Sequence, residues 1–297
     1  MGLVADNVKL FFSLARERYK IRLRRAEGGD GPWTKDEIYR QYRFCNVFRE
    51  HDKTTEWFRE NIRDPLRDRP RDVLRATIIF RWFNRIETGE RIKDILLSPL
   101  KQSIIRDLRA ALRGVSPIVT GAYMIRSANG MPKLEGILHG VDRILPSLKG
   151  IAQEIPDGED GRGPTLQFAH SLLLPFPLMG PFIAYEVITD LRYTSLLDSA
   201  SDIDTWANAG PGCTRGAGWV KANNFNLWKR TSKEHQNRML RMMAKLLELA
   251  RTKKELWPTD WPKWEMREVE HWLCETCKYV RVRDGGTPPK QIFRGGT

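Results

Sequence analysis

Apolar positions recur at helical spacing along most of the chain, and glycine and proline clusters interrupt the pattern. Residues 5–26 predict one helix, closed by Gly28-Gly29-Asp30-Gly31-Pro32. Arg16, Lys20 and Arg24 follow each other at i+4 steps on it, as a solvated basic face or as a rail for a DNA backbone. Thr34, with Glu37 three residues on, reads as a capping box opening a second helix, and Trp33 as its staple residue. Val73 to Arg85 (VLRATIIFRWFNR) is apolar nearly all round and predicts a buried helix. Its Arg81, Asn84 and Arg85 share a face and need anionic partners, either internal carboxylates or phosphates of a ligand. Pro99 to Arg113 and Lys133 to Leu148 predict further helices. Ser116 to Arg126, followed by Asn129-Gly130, suggests a small hairpin.

Asp157 to Pro164 is a polar, glycine-rich loop. It is the expected division between two lobes of what otherwise reads as a single helical domain over 1–297. Residues 178–193 form a second apolar helix with Glu186, Asp190 and Tyr193 on one stripe. Close carboxylates can divide acid and base roles, or pair internally with Arg81 and Arg85. Asp202 to Asn208 predicts a short helix. Ala209 to Gly216 (AGPGCTRG) follows, either a plain interhelical turn or a glycine hairpin whose backbone meets phosphate. Ser232 to Arg251 is amphipathic, and the Trp257, Trp261 and Trp264 group seals a core. The last helix, Lys263 to Val282, carries Glu270, Cys274 and Lys278 on one face. Asp284 to Thr297 is a tail ordered by packing. The fold class is therefore mainly α, with at most a small β-hairpin.

Two stretches concentrate charge, and only the first resists a purely structural reading. Tyr42 to Asp52 (YRFCNVFREHD) interleaves Phe44, Val47 and Phe48 with Arg43, Asn46, Arg49 and Asp52 at i, i+3, i+6 and i+9. It is either a salt-bridged surface turn or a loop that handles phosphate and bases. Arginine recurs every four residues at Arg59, Arg63, Arg67, Arg71 and Arg75, with Glu60, Asp64, Asp68 and Asp72 interleaved. Pro65 and Pro70 break the helix there, and a salt-bridged surface is expected.

Composition narrows the partner. The 297 residues are 41% hydrophobic and 29% charged, a globular balance. The net charge is +13, mostly arginine, and there are 10 Trp. Arginine forks onto phosphate and aromatic rings stack on bases, so nucleic acid is favoured over a small acidic metabolite. Cys274 and Cys277 form a C-x-x-C, but Cys45 and Cys213 are not placed to complete a zinc ribbon, so no metal is indicated. The N-terminus lacks a signal-peptide pattern. Ser171 to Tyr185 is too short and too proline-rich to span a membrane, and a soluble cytoplasmic protein is expected. No G-x-x-x-x-G-K-[ST], Rossmann glycine motif or H-E-x-x-H occurs.

Six stretches in order carry a family resemblance: PWTKD (Pro32 to Asp36), YRFCNVFREHD, FRWFNRIET (Phe80 to Thr88), AYEVITDLRY (Ala184 to Tyr193), AGPGCTRG and VEHWLCETCKY (Val269 to Tyr279). They resemble a phage and bacterial helical DNA-modification superfamily. It contains amino acid:DNA transferases (alpha-glutamyl/putrescinyl thymine pyrophosphorylases) and the helical domain of 5-hydroxymethyluracil DNA kinases. The resemblance implies a helical, DNA-glycosylase-like fold with a helix-hairpin-helix element. The kinase branch carries a P-loop domain on the same chain, and its absence from this sequence favours the transferase branch. No glycosylase-like Lys follows the hairpin.

The implied reaction displaces pyrophosphate from a 5-pyrophosphoryloxymethyl uracil in double-stranded DNA, using the amine of an amino acid or polyamine, after a 5-hydroxymethyluracil DNA kinase has acted. In a phage-encoded protein this happens in host cytoplasm. No cofactor is implied. On this reading Arg43, Arg49, Arg81 and Arg85 hold pyrophosphate, with Glu270 and Lys278 in the same substrate set. Asp190, Glu186 or Asp52 acts as base or ammonium anchor, and Asn46 and Asn84 read the edge of a flipped base. Gly210, Gly212, Thr214 and Arg215 hold the DNA backbone. The alternatives are a glycosylase or lyase on modified DNA, and a non-catalytic DNA-binding partner of the kinase.

Overall fold

The computed structural model describes residues 2–28, 30–121, 125, 130–289 and 291–293. It divides into two compact units, Met1–Asp52 with Ile203–Thr297, and the uninterrupted Lys53–Asp202. The first unit opens with α1 (Ala5–Ala26) and α2 (Glu37–Gln41). The second holds α3 (Lys53–Phe58), a π-helical turn (Arg59–Arg63), α4 (Asp64–Leu66), α5 (Pro70–Phe83), α6 (Ile86–Leu97), α7 (Ile104–Leu112), α8 (Lys133–Ile144), α9 (Leu148–Asp157), α10 (Leu166–Leu173) and α11 (Pro181–Leu191). The first then resumes with α12 (Pro211–Ala222), α13 (Lys233–Thr252) and α14 (Met266–Arg283). The expected division at 157–164 falls inside the second unit.

The fold is mainly α. Among the described residues, β pairing is confined to a bridge between Tyr42 and Ile292. Much of the expected hairpin, including Tyr123 and Asn129, lies outside the described residues. No described helix is long and apolar enough to cross a membrane.

The first unit is built on aromatic packing. Phe11 and Phe12 of α1 meet the Trp264 ring, each at 5.7 Å, and Trp257 packs on Trp264 at 5.3 Å. Trp272 of α14 is buried and donates its indole N–H to the Phe11 carbonyl at 2.9 Å, so its polar edge is satisfied. Phe293 donates its backbone N–H to the Gln41 carbonyl, and the Arg25 guanidinium lies over both the Trp33 and Phe293 rings. In the second unit α5 is buried along nearly its whole length, with Pro70 pre-set in its first turn and Asn84, at φ 46°, closing its end.

Three local expectations are corrected. The cap of α2 is Asp36, whose carboxylate accepts from the Ile38 and Tyr39 amides, while Thr34 takes only the Asp36 amide. A carboxylate over two amides makes the stronger cap. Asp202 to Thr205 forms turns and Trp206 to Asn208 has no regular structure, so the expected short helix is not formed. Finally, Gly210 is the N-cap of α12 and the glycines after it are helical. A Cβ on Gly212 would lie 2.3 Å from Cys274 Sγ, and one on Gly216 only 2.0 Å from the Leu273 carbonyl oxygen. These glycines let α12 and α14 approach backbone to backbone, which is the physical reason for their i, i+4 spacing.

Candidate functional site

The Tyr42–Asp52 segment is tied to α14 at Arg43, Cys45 and Asn46. The Cys45 amide donates to Glu275 Oε2 at 3.0 Å, and Lys278 Nζ donates to the same oxygen at 2.7 Å and to the Arg43 carbonyl at 3.3 Å. Arg18 of α1 donates through Nε and a terminal nitrogen to the Phe44 carbonyl, at 3.3 and 3.2 Å. Asn46 then folds the segment onto itself. Its amide donates to Asp52 Oδ1 at 2.9 Å, and its Nδ2 donates to Asp52 Oδ1 and to the His51 carbonyl. The Asn46 carbonyl accepts from His271 Nε2 at 3.1 Å. Since a carbonyl only accepts, His271 carries its proton on Nε2 and presents Nδ1 as a lone pair.

This arrangement gathers Cys45, Asp52 and His271. A sulfur, a carboxylate oxygen and a ring nitrogen from them lie within 4.8 Å of one another. Cys45 is exposed and the other two are half-buried. Yet desolvation by surrounding protein is the largest influence on all three. Water reaches these groups, yet protein crowds them. The crowding pushes the Cys45 thiol well above its usual range, assisted by Glu275 and Asp52. It raises the Asp52 carboxyl, against the Asn46 amide, Arg18 and Arg267. It holds His271 well below its usual value, helped by Arg267, Lys278 and Arg49, so the imidazole is neutral. Burial works against the Lys278 ammonium, but Glu275 and Cys45 outweigh it and its pKa rises.

Of the residues expected at a site, Arg43, Asn46, Arg49, Asp52 and Lys278 belong to this segment and its α14 partner face. Arg43 is exposed and Arg49 buried in a short turn. Glu270 lies further up α14 and its Oε1 accepts from the Gly210 amide at 3.5 Å. A carboxylate thus sits where the phosphate of a backbone clamp was expected. Thr214 is buried and spends its hydroxyl on the Gly210 carbonyl, whereas Arg215 points outward, exposed.

The second unit gathers another group. Arg81 and Asp190 are buried and paired, Arg81 Nη1 donates to Asn84 Oδ1 at 2.6 Å, and Nη2 reaches Thr55 at 3.2 Å. Internal pairing is therefore the alternative that these residues take. Asp190 has no exposed surface to offer an amine, which corrects its expected role as base, and the Arg81 guanidinium is committed to protein partners. Arg85 does not share their face, because the left-handed Asn84 ends α5 and turns Arg85 out to pair with Glu87 at 3.1 Å. Glu186 is half-buried on α11, and Tyr193 lies past the end of α11 under the Arg63 guanidinium.

The sequence reading missed Cys45, His271 and Arg18 as site residues. Cysteine and histidine at positions 45 and 271 carry no spacing that marks a site, and only the fold brings them together.

A family model for the helical domain of 5-hmdU DNA kinase matches residues 5–287. The 5-hmdU DNA kinase of Bacillus phage SP10 is 26% identical over 291 residues, covering 91% of this chain and 44% of that relative. The chain thus spans less than half the length of this curated relative. No solved structure matches.

Proposed function

The chain belongs to the family of the 5-hmdU DNA kinase helical domain, and on that premise we propose that it is a DNA-modifying transferase of phage thymidine hypermodification. Its substrate is 5-pyrophosphoryloxymethyl-deoxyuridine in double-stranded DNA, prepared by a 5-hmdU DNA kinase. The amine of an amino acid or polyamine attacks the methylene carbon. A C–N bond forms, the C–O bond to pyrophosphate breaks, and the ammonium proton passes to the Asp52 carboxylate.

The observation that carries this reading is the side-chain cluster formed by Tyr42–Asp52 and α14. It combines reachable reactive groups, Cys45, Asp52 and His271, with a cationic surround of Arg18, Arg49, Arg267 and Lys278. Positive charge around a leaving pyrophosphate stabilises the charge that develops on its oxygen. Arg43, exposed on the same segment, extends that field toward solvent. The +13 chain is matched to a polyanionic substrate, and extrusion of the base is needed to bring its methylene to any recess.

The test uses DNA bearing 5-pyrophosphoryloxymethyl-deoxyuridine, incubated with the protein and a pool of amino acids and polyamines, then digested and weighed as nucleosides. A nucleoside at the mass of one amine adduct is expected. Unchanged nucleosides across the pool overturn the transferase and leave a DNA-binding partner of the kinase. Abasic sites indicate a glycosylase.

A further inference from the structure

We propose that Cys45, Asp52 and His271 form a binding site for a divalent, borderline-soft transition metal, zinc above all. The three donors converge within 4.8 Å from two separate stretches of chain. Zinc bonds of about 2.3 Å to sulfur and about 2.0–2.1 Å to nitrogen, at tetrahedral angles, put neighbouring donors about 3.5 Å apart. Closure by roughly 1 Å therefore converts the observed cluster into a coordination sphere.

The hydrogen bonds around the cluster have the pattern of a supported metal site. A metal-binding histidine characteristically donates its other ring N–H to a carbonyl or carboxylate, which fixes its orientation. His271 does so to the Asn46 carbonyl. Asp52 is likewise held through one oxygen, Oδ1, by two donors of Asn46. Among the described residues, Asp52 Oδ2, His271 Nδ1 and Cys45 Sγ have no hydrogen-bond partner. One residue, Asn46, thus holds both Asp52 and His271 through one atom each and leaves a second donor atom on each side chain. The donor set of thiolate, imidazole and carboxylate suits zinc, whereas magnesium and calcium prefer oxygen alone. Binding replaces the thiol proton by the ion, so the reluctance of Cys45 to ionise alone is no obstacle.

Three protein ligands leave one position for water or substrate, as in catalytic rather than structural zinc sites. Arg18, Arg49, Arg267 and Lys278 act on the cluster electrostatically, so that position suits an anionic oxygen such as that of a phosphate. The metal site does not depend on the identity of the amine or on transfer activity.

The full chain is purified, its zinc content measured by plasma mass spectrometry, and the chelator-stripped protein titrated with Co²⁺. One equivalent of metal is expected, with the intense near-ultraviolet band of a cobalt–thiolate bond. Cys45→Ser abolishes the band, His271→Gln and Asp52→Asn weaken binding at least tenfold, and Cys277→Ser retains it. Circular dichroism checks that each variant is folded. A folded wild-type chain that retains no zinc and gives no thiolate band overturns the site, as does a band that survives Cys45→Ser. Metal binding without an amine adduct in the nucleoside assay overturns the transferase and leaves the site standing. An adduct formed by a metal-free chain that shows no band does the reverse.

Discussion

The Arg81 guanidinium forks onto the Asp190 carboxylate inside the second unit, Nε to Oδ2 and Nη2 to Oδ1, with both side chains removed from solvent. Breaking a buried pair on one side leaves an uncompensated charge, at a cost of about 3–5 kcal/mol. Arg81→Ala and Asp190→Ala are each expected to lose that much in urea unfolding. Arg81→Met with Asp190→Leu is expected to recover most of it. A double variant no more stable than either single one sinks the pairing argument.

Gly216 and the Leu273 carbonyl impose a second test. An added methyl at Gly216 meets backbone at 2.0 Å and cannot be relieved by a side-chain rotation, so Gly216→Ala should cost about 1–3 kcal/mol or more. Gly150 of α9 is the control. Its nearest atom is the flexible Glu154 carboxylate at 3.8 Å, and alanine there should add about 0.5–1 kcal/mol through helix propensity. Thermal melts of the two variants should move in opposite directions.

Glu268 gives the first unit a pH dependence. It is buried at the start of α14, and desolvation raises its carboxyl from 4.5 to about 7. Below pH 4.5 folded and unfolded chains both hold the proton and the group costs nothing. Between 4.5 and about 7 the unfolded chain gives it up first, so stability falls as pH rises. Above that the full penalty stands, on the order of 3 kcal/mol. Glu268→Gln should flatten this limb while preserving the acceptor for the Glu265 amide. Urea midpoints taken across the window compare the two chains, and parallel slopes would reject the assignment.

Arg215 is the exposed member of the segment expected to hold DNA. If it meets a phosphate, Arg215→Ala weakens binding about equally on all sequences and lowers the slope of log affinity against log salt by about 1. Fluorescence anisotropy over a salt series measures both. An unchanged slope removes α12 from the DNA-facing surface.

What the sequence made legible was governed by local rules. The period of apolar residues places α1 at its observed bounds and α5, α11, α13 and α14 within a few residues. The arginine ladder makes ion pairs, Arg59 with Glu60, Arg63 with Asp64 and Arg75 with Asp72, but Arg63 and Arg75 are buried, so it is not the surface that the spacing suggests. Local competition hid the rest. Two good capping residues stand two apart at Thr34 and Asp36, and charge decided between them. Asn84 reads as a helical position, but its tolerance of left-handed backbone makes it a terminus, and that one residue separates Arg85 from Arg81. The glycines of α12 were legible as a need for close approach but not for approach to what: phosphate and a neighbouring helix make the same demand of a Cβ. In the site, the segment carrying Asn46 and Asp52 stood out by its mixture of charge and aromatic residues. Its partners on α14 obey no spacing rule with it, because tertiary contact alone relates them.

The first unit is split in sequence, and this has a consequence for its birth. The hydrogen-bonded Asn46 and His271 are 225 positions apart. At about 5–20 residues per second, a ribosome delivers the second on the order of ten to forty-five seconds after the first. The whole of Lys53–Asp202 emerges in that interval as an uninterrupted unit. Meanwhile Phe11, Phe12 and Tyr19 lack the tryptophans that cover them in the finished protein. Until the tryptophans that follow Lys53–Asp202 have been made, α1 therefore carries an uncovered aromatic face, and the Cys45–Asp52–His271 cluster forms only after His271 has joined the chain.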